Sequence, residues 1–316
     1  MTRKLVLAAC LLLLTPAASA QQEVWSDANT ETLVVNANAR GPAVWKLRRG
    51  SGEVWILGTI GPMPEGLEWN RDSLKPFMAG ARQLLLPPAP DVNMVDAAWF
   101  YLWHGDLLRQ PRGRTLESSL PESLRARFAT ARGLADRDAD RYATDIPLVA
   151  AMRLQRDFLS ARELSRSEPR RTVEQMARRA RVRISRMGEF DLMPTVRAVL
   201  ALPHERQRPC LEQAVDDTQR QARDAGMAAD AWADGDIARV KLHYAETRLL
   251  ECVARASQQA GAVEALSVDL MVKGLDAALK TPGKTIAVIS IGPLLRKDGV
   301  LDRLMALGAT VEDAPQ

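Results

Sequence analysis

The chain has 316 residues, 47% of them hydrophobic, and 43 Lys and Arg against 39 Asp and Glu give it a formal net charge of +4. A near balance of charge, an aromatic content of 5% and no basic run interleaved with aromatics exclude a nucleic-acid binder that works through electrostatics. The length suits one large globular domain or two smaller ones.

The first twenty residues read as a secretory signal. Arg3 and Lys4 supply the charged start, Leu5 to Leu14 the apolar core, and Ala18-Ser19-Ala20 a small-residue cleavage site before Gln21. Leu7-Ala8-Ala9-Cys10 resembles a lipoprotein cleavage box, but the apolar core continues past it, so cleavage is expected after Ala20. The apolar run is too short for a normal membrane span, and no later segment is a candidate. The expectation is an exported bacterial protein, periplasmic or secreted, with no membrane span after cleavage. Residues 21–40 are polar and unpatterned and read as a loose lead-in to a domain over 41–316.

Ala43–Leu47 and Val54–Ile60, separated by Arg48-Arg49-Gly50-Ser51-Gly52, predict a β-hairpin. Leu67–Ala81 reads as a helix. Gln83–Leu86 is a short buried strand stopped by Pro87 and Pro88, placed parallel beside the hairpin. From Met94 to about Ala180 the pattern is helical, punctuated by Pro111, Pro121, Pro147 and Pro169. Ser118-Ser119-Leu120-Pro121-Glu122 marks a helix start with proline in its first turn.

Arg181–Met187 predicts a strand; Pro203–Gln221 and Asp230–Ala260 predict helices, so that about 94–260 is mainly helical. Ala262–Leu279 is a further helix ended by Pro282-Gly283. Lys284–Ile291 is the strongest strand signal. Val300–Leu307 predicts a helix stopped by Gly308, and Ala309–Glu312 a last strand. This order is α/β with a large helical insertion.

Cys10 leaves with the signal. Cys210 and Cys252 remain, each on a helical apolar stripe, and an oxidising compartment favours a disulfide between them; the alternative is two buried free thiols. The histidines His104, His204 and His243 form no ligand spacing. His104 with Asp106 is a candidate loop ligand pair, against an ordinary surface or helix-end histidine. His204 and His243 read as surface residues.

Asp234-Gly235-Asp236 looks like a fragment of a calcium loop, but a helix N-cap explains one aspartate more simply. Asp216-Asp217 and Glu189 with Asp191 read as solvated charge. The run Arg178, Arg179, Arg181 and Arg183 reads as a solvated helix end.

Several of these segments, in this order, resemble the TraB/PrgY/GumN family: Ala43-Val44-Trp45-Lys46-Leu47, Leu57-Gly58-Thr59-Ile60, Trp232-Ala233-Asp234-Gly235-Asp236, and the closing strand–helix–strand from Lys284. The resemblance covers Pro42 to Glu312. It implies a central mixed β-sheet built from both chain ends. It also implies, for the Tiki-type members, a metal-dependent protease with two Gly-x-x-His motifs and an acidic residue near strand ends.

Carried over residue by residue, Gly58, Thr59 and Ile60 match the first motif, yet Gly61 stands at the histidine. Pro87 stands at the acidic position. Gly292 matches the second motif loosely, and Pro293 stands at its histidine. An Arg-Asn pair of many relatives falls on Ser267 and Val268.

The reading is therefore a degenerate, non-catalytic member with no metal and no cofactor, binding a peptide, glycan or protein ligand in the envelope. The alternatives are a metal-dependent hydrolase with a rebuilt site, using His104, Asp106 or other carboxylates, and a structural envelope protein with no ligand.

Overall fold

The computed structural model describes residues 41–91, 105–244 and 246–313. β1 (Val44–Arg49) and β2 (Gly52–Thr59) form the expected antiparallel hairpin, with Leu47 opposite Val54. Gly50 takes the turn with φ of 58°, a conformation glycine adopts without a Cβ clash. The strand after the hairpin does not lie beside it. β9 (Gly283–Ser290) takes that place, parallel to β2, and β4 (Ala81–Leu86) lies parallel on the far side of β9.

The expectation that Gln83–Leu86 neighbours the hairpin is thus corrected. β9 carries four consecutive buried apolar residues, Ile286–Ile289, and the centre of a parallel sheet, covered on both faces, is where such a strand buries most. β7 (Arg183–Arg186) extends the sheet beyond β4, and β10 (Thr310–Asp313) pairs antiparallel with β1. The order is β10-β1-β2-β9-β4-β7, a mixed α/β sheet drawn from both chain ends.

Two short ladders were not legible as strands: β3 (Met63–Pro64) with β6 (Leu164–Ser165), and β5 (Ala89–Asp91) with β8 (Glu189–Asp191). The helix expected over Leu67–Ala81 is also corrected. A 3-10 turn at Arg71–Leu74 leads into α1 (Lys75–Met78), and Ala81 already begins β4. Gly66 and Gly80, at φ of 74° and 71°, bound the segment on both sides.

The helical insertion contains α2 (Glu122–Leu134), α3 (Pro147–Ala161), α4 (Glu168–Arg179) and α5 (Met193–Leu200). α6 (His204–Ala233) is one helix where two were expected. It ends at Gly235, φ 76°, where the Gly235 and Asp236 amides donate to the carbonyls of Trp232 (3.1 Å) and Ala231 (2.9 Å). The stretch expected as a helix to Ala260 is broken there. It continues as α7 (Ile237–His243), α8 (Leu249–Ala256) and α9 (Gln258–Leu279). α10 (Ile291–Leu295) and α11 (Val300–Ala306) close the chain before β10.

The core divides into two clusters. One surrounds the sheet, with Leu47, Ile56, Leu84, Trp232, Leu275, Ile289 and Leu301 buried. The other lies among the insertion helices, with Phe128, Tyr142, Leu154, Phe158, Leu211 and Val215. In the second cluster Cys210 and Cys252 are joined by a disulfide, Cα–Cα 5.4 Å, which ties α6 to α8.

Candidate functional site at the carboxyl edge of the sheet

β2, β9 and β4 run parallel, so their carboxyl ends open on one edge, the usual place for a ligand in such sheets. Thr59 pairs with Ser290, and Leu85 with Ala287. Gly61, Pro87 and Pro293 therefore leave the sheet from three neighbouring strands.

Close packing fixes the end of β2. A Cβ on Gly58 would stand 2.4 Å from the Trp45 ring. The Gly58 carbonyl accepts a hydrogen bond from the fully buried Trp232 indole at 2.7 Å. That bond pins the last turns of α6 to the strand. Thr59 Oγ1 donates to the Ile289 carbonyl (3.4 Å), and Ile60 is buried. A Cβ on Gly61 would lie 3.1 Å from the Arg166 backbone.

At the end of β9 the backbone meets a carboxylate. A Cβ on Gly292 would lie 2.4 and 2.6 Å from the two Glu246 oxygens, so glycine is needed for Glu246 to be there. Glu246 belongs to a pocket of about 310 Å³. Its apolar wall includes Phe190, Leu192, Val263, Val268, Met271 and Pro293; its polar wall includes Glu246, Glu251, Glu264, Ser267 and Arg296.

Arg296 is the hub of the polar wall. Its Nη1 meets Glu264 at 2.6 Å, and its Nη2 lies 3.8 Å from Glu246 and 3.9 Å from Glu251. Burial pushes the Glu246 carboxyl up, the Arg296 guanidinium opposes that push, and the neighbouring Glu251 and Glu264 add to it. The pocket wall itself thus sets three acidic side chains around one guanidinium. Beside it the Tyr244 hydroxyl lies 3.4 Å from Ser290 Oγ. Burial, then the Glu246 charge, push that hydroxyl well above the ordinary phenol range, so it stays neutral near pH 7.

A family model, that of the TraB/PrgY/gumN family, matches residues 43–313. This chain belongs to the TraB/PrgY/gumN family. No curated protein and no solved structure matches it.

Family membership gives the sheet edge its meaning. The structure brings Pro293 into one pocket with Ser267 and Val268, two further positions that the resemblance singled out. Gly61 and Pro87 stand on the same edge but do not line that pocket. Gly61, Pro87 and Pro293 offer no side-chain donor, so the divalent-metal site that the resemblance implies does not fit these residues. Among the described residues no group of three His, Cys, Asp or Glu side chains is placed to hold a metal ion.

The other candidates are dispersed. His104 lies outside the described residues, as does the Asp106 side chain. His204 opens α6 and His243 closes α7, both half-buried rather than fully exposed. Asp236 caps α7, accepting from the Arg239 amide at 2.9 Å, as the N-cap reading expects. Arg178, Arg179, Arg181 and Arg183 are exposed, as are Glu189 and Asp191.

Asp217 corrects the reading of Asp216-Asp217 as solvated charge, since Asp217 is 0% exposed. It accepts from the backbone amides of Arg248 (2.8 Å) and Leu249 (3.1 Å), capping α8, and from Gln155, Gln213 and Arg220. From there Gln155 accepts from Arg166 (3.0 Å), whose guanidinium reaches Thr247 (3.2 Å) on the pocket wall. A buried carboxylate thus holds the 246–248 connection, and Glu246 with it. Sequence reading missed Glu246 and Arg296. Glu246 sits in a connection whose sequence reads as helix, and only the fold brings the two together.

Proposed function

We propose that this protein is an exported, non-catalytic member of the TraB/PrgY/gumN family that binds a peptide or protein segment at the carboxyl edge of its sheet. The observation that carries the reading is the pocket beside Pro293. The family's motif positions have lost their donors, while a cavity of about 310 Å³ remains, with an apolar wall and three carboxylates around Arg296. Such a pocket suits a segment that presents a basic side chain next to apolar ones.

Export is supported by the signal-like residues 1–20 and by the Cys210–Cys252 disulfide, which suits an oxidising compartment. Among the described residues no helix is long and apolar enough to cross a membrane. The family match over 43–313 supports residues 41–316 as the folded unit.

Two measurements test the proposal. Elemental mass spectrometry on the protein, purified without chelator or histidine tag, should find no stoichiometric transition metal. One tightly held metal per chain would overturn the non-catalytic reading. A peptide array read by fluorescence should show Lys- and Arg-containing apolar peptides bound by the native protein and lost in Ser267→Arg, which places a cation in the pocket. Equal binding by both proteins, or none by either, would overturn the pocket as the ligand site.

A further inference from the structure

A second cavity lies in the helical insertion, away from the sheet edge. Its volume is about 1060 Å³, large enough for a monosaccharide with a charged substituent. Arg109, Arg112, Arg114 and Arg153 line it, against one carboxylate, Asp145. Arg153 Nη1 pairs with Asp145 Oδ1 at 3.0 Å. Arg109, Arg112 and Arg114 form no salt bridge with any described carboxylate, although solvated arginines elsewhere on this chain, such as Arg127 and Arg239, do. Three guanidinium groups with no described carboxylate in ion-pair distance, Arg109 acting on Asp145 only from further away, concentrate positive potential around one concavity.

The arginines are presented on a fixed support. The Gln110 amide donates to the Thr144 carbonyl (2.7 Å), Gln110 Nε2 to the Asp145 carbonyl (3.2 Å), and the Ile146 amide to the Leu108 carbonyl (3.3 Å). Pro111-Arg112-Gly113-Arg114 is a turn closed by the Arg114 amide on the Pro111 carbonyl (3.1 Å). Gly113 supplies its φ of 81°. The turn sets Arg112 and Arg114 on either side of a glycine that adds no bulk.

The opposite wall is Leu200 to His204, which includes the start of the 30-residue α6. The positive end of that helix adds to the field. Asp145 Oδ2 is buried without a hydrogen-bond partner among the described residues, an acceptor available to a hydroxyl group.

We propose that this pocket binds a phosphate-bearing polyol, with the phosphate on the Arg109, Arg112 and Arg114 guanidinium groups and a hydroxyl donated to Asp145. Arginine forks match phosphate oxygens in pairs, and three of them suit a phosphate group better than a single carboxylate. The phosphate could belong to a free sugar phosphate or to a lipid headgroup.

Calorimetric titration of the full chain with glucose 6-phosphate, and co-sedimentation with phosphatidylglycerol vesicles, separate those sources. Binding of the first alone assigns a free ligand; binding of the second alone assigns a headgroup. Either supports the site if the Arg112→Gln/Arg114→Gln variant weakens it by roughly tenfold or more, two charge-assisted contacts being lost. Ala201→Glu, an exposed position on the opposite wall, should weaken it as much without touching the arginines. Glucose binding as tightly as glucose 6-phosphate, unchanged affinity in both variants, or no binding of either probe would overturn the proposal.

Discussion

The sheet half and the helical half of this molecule are held together differently. Around the sheet the core is almost wholly apolar, and among the described residues Thr285 is the buried polar side chain on its six strands, accepting from Arg82 at 3.0 Å. The helical half buries Asp145, Gln155, Asp157, Gln207 and Asp217 between its helices and adds the Cys210–Cys252 disulfide. Strands satisfy their backbone groups sideways, and a one-residue slip would turn every apolar side chain to the wrong face. Register alone therefore fixes the sheet. Helices satisfy their backbone internally and are free to slide and rotate on one another, so directional buried bonds and a covalent link set their phase. Both candidate pockets lie where helices or connections held by such bonds meet.

The sharpest break of this comparison is at Trp232, which joins the long helix to the sheet. Trp232→Ala removes a fully buried indole and leaves the Gly58 carbonyl without its donor. The expected loss is about 5 kcal/mol in urea unfolding. A loss below about 1 kcal/mol would mean the helix is not anchored there.

Next is the disulfide, whose cysteines are 42 residues apart. Replacing both by alanine should cost about 4 kcal/mol on the chain-entropy account. Hydrogen exchange should then speed up in 147–161, 204–220 and 249–256 before it does in 52–59 and 283–290. Uniform acceleration would show the two clusters opening as one cooperative unit.

Asp217→Ala should cost about 3 kcal/mol, since it strips the cap of α8 and leaves Arg220 unpaired. Asp217→Asn should recover part of that and retain part of the peptide binding. If Asp217→Ala leaves peptide binding unchanged, the 246–248 connection does not depend on this carboxylate.

The smallest effect expected is a pH dependence at Asp157. Burial works against its charge, but hydrogen bonds and charge from Arg141, with the Tyr142 hydroxyl and Arg156, hold its pKa below the ordinary carboxylate range. A depressed pKa contributes stability above the unfolded carboxylate pKa and loses it as pH falls through the folded value. The stability gap between the native protein and Arg141→Gln should accordingly be open at neutral pH and close in acid. A gap that widened in acid would reverse this sign.

Much of the fold was legible in sequence because it rests on local pattern. The hairpin, the strand from Lys284 and the helix from Val300 each show their period and their glycine or proline stops within a few residues. The helix expected over Leu67–Ala81 failed because glycines on both sides override the apolar spacing between them. That Gly61, Pro87 and Pro293 bring no side-chain ligand was legible, since proline and glycine have no side-chain donor atoms wherever they stand. Glu246 and Arg296 were not, because fifty residues separate them and neither lies in a motif.

The sequence by itself determined the α/β class, the family and the pairing candidates Cys210 and Cys252. These follow from periodicity and residue chemistry, which are properties of the chain. Only the tertiary structure decided that β9 separates the hairpin from β4, that Asp217 is a buried cap, and that carboxylates and arginines gather in two separate pockets. Those depend on long-range burial and register, which bring together groups that no local pattern connects.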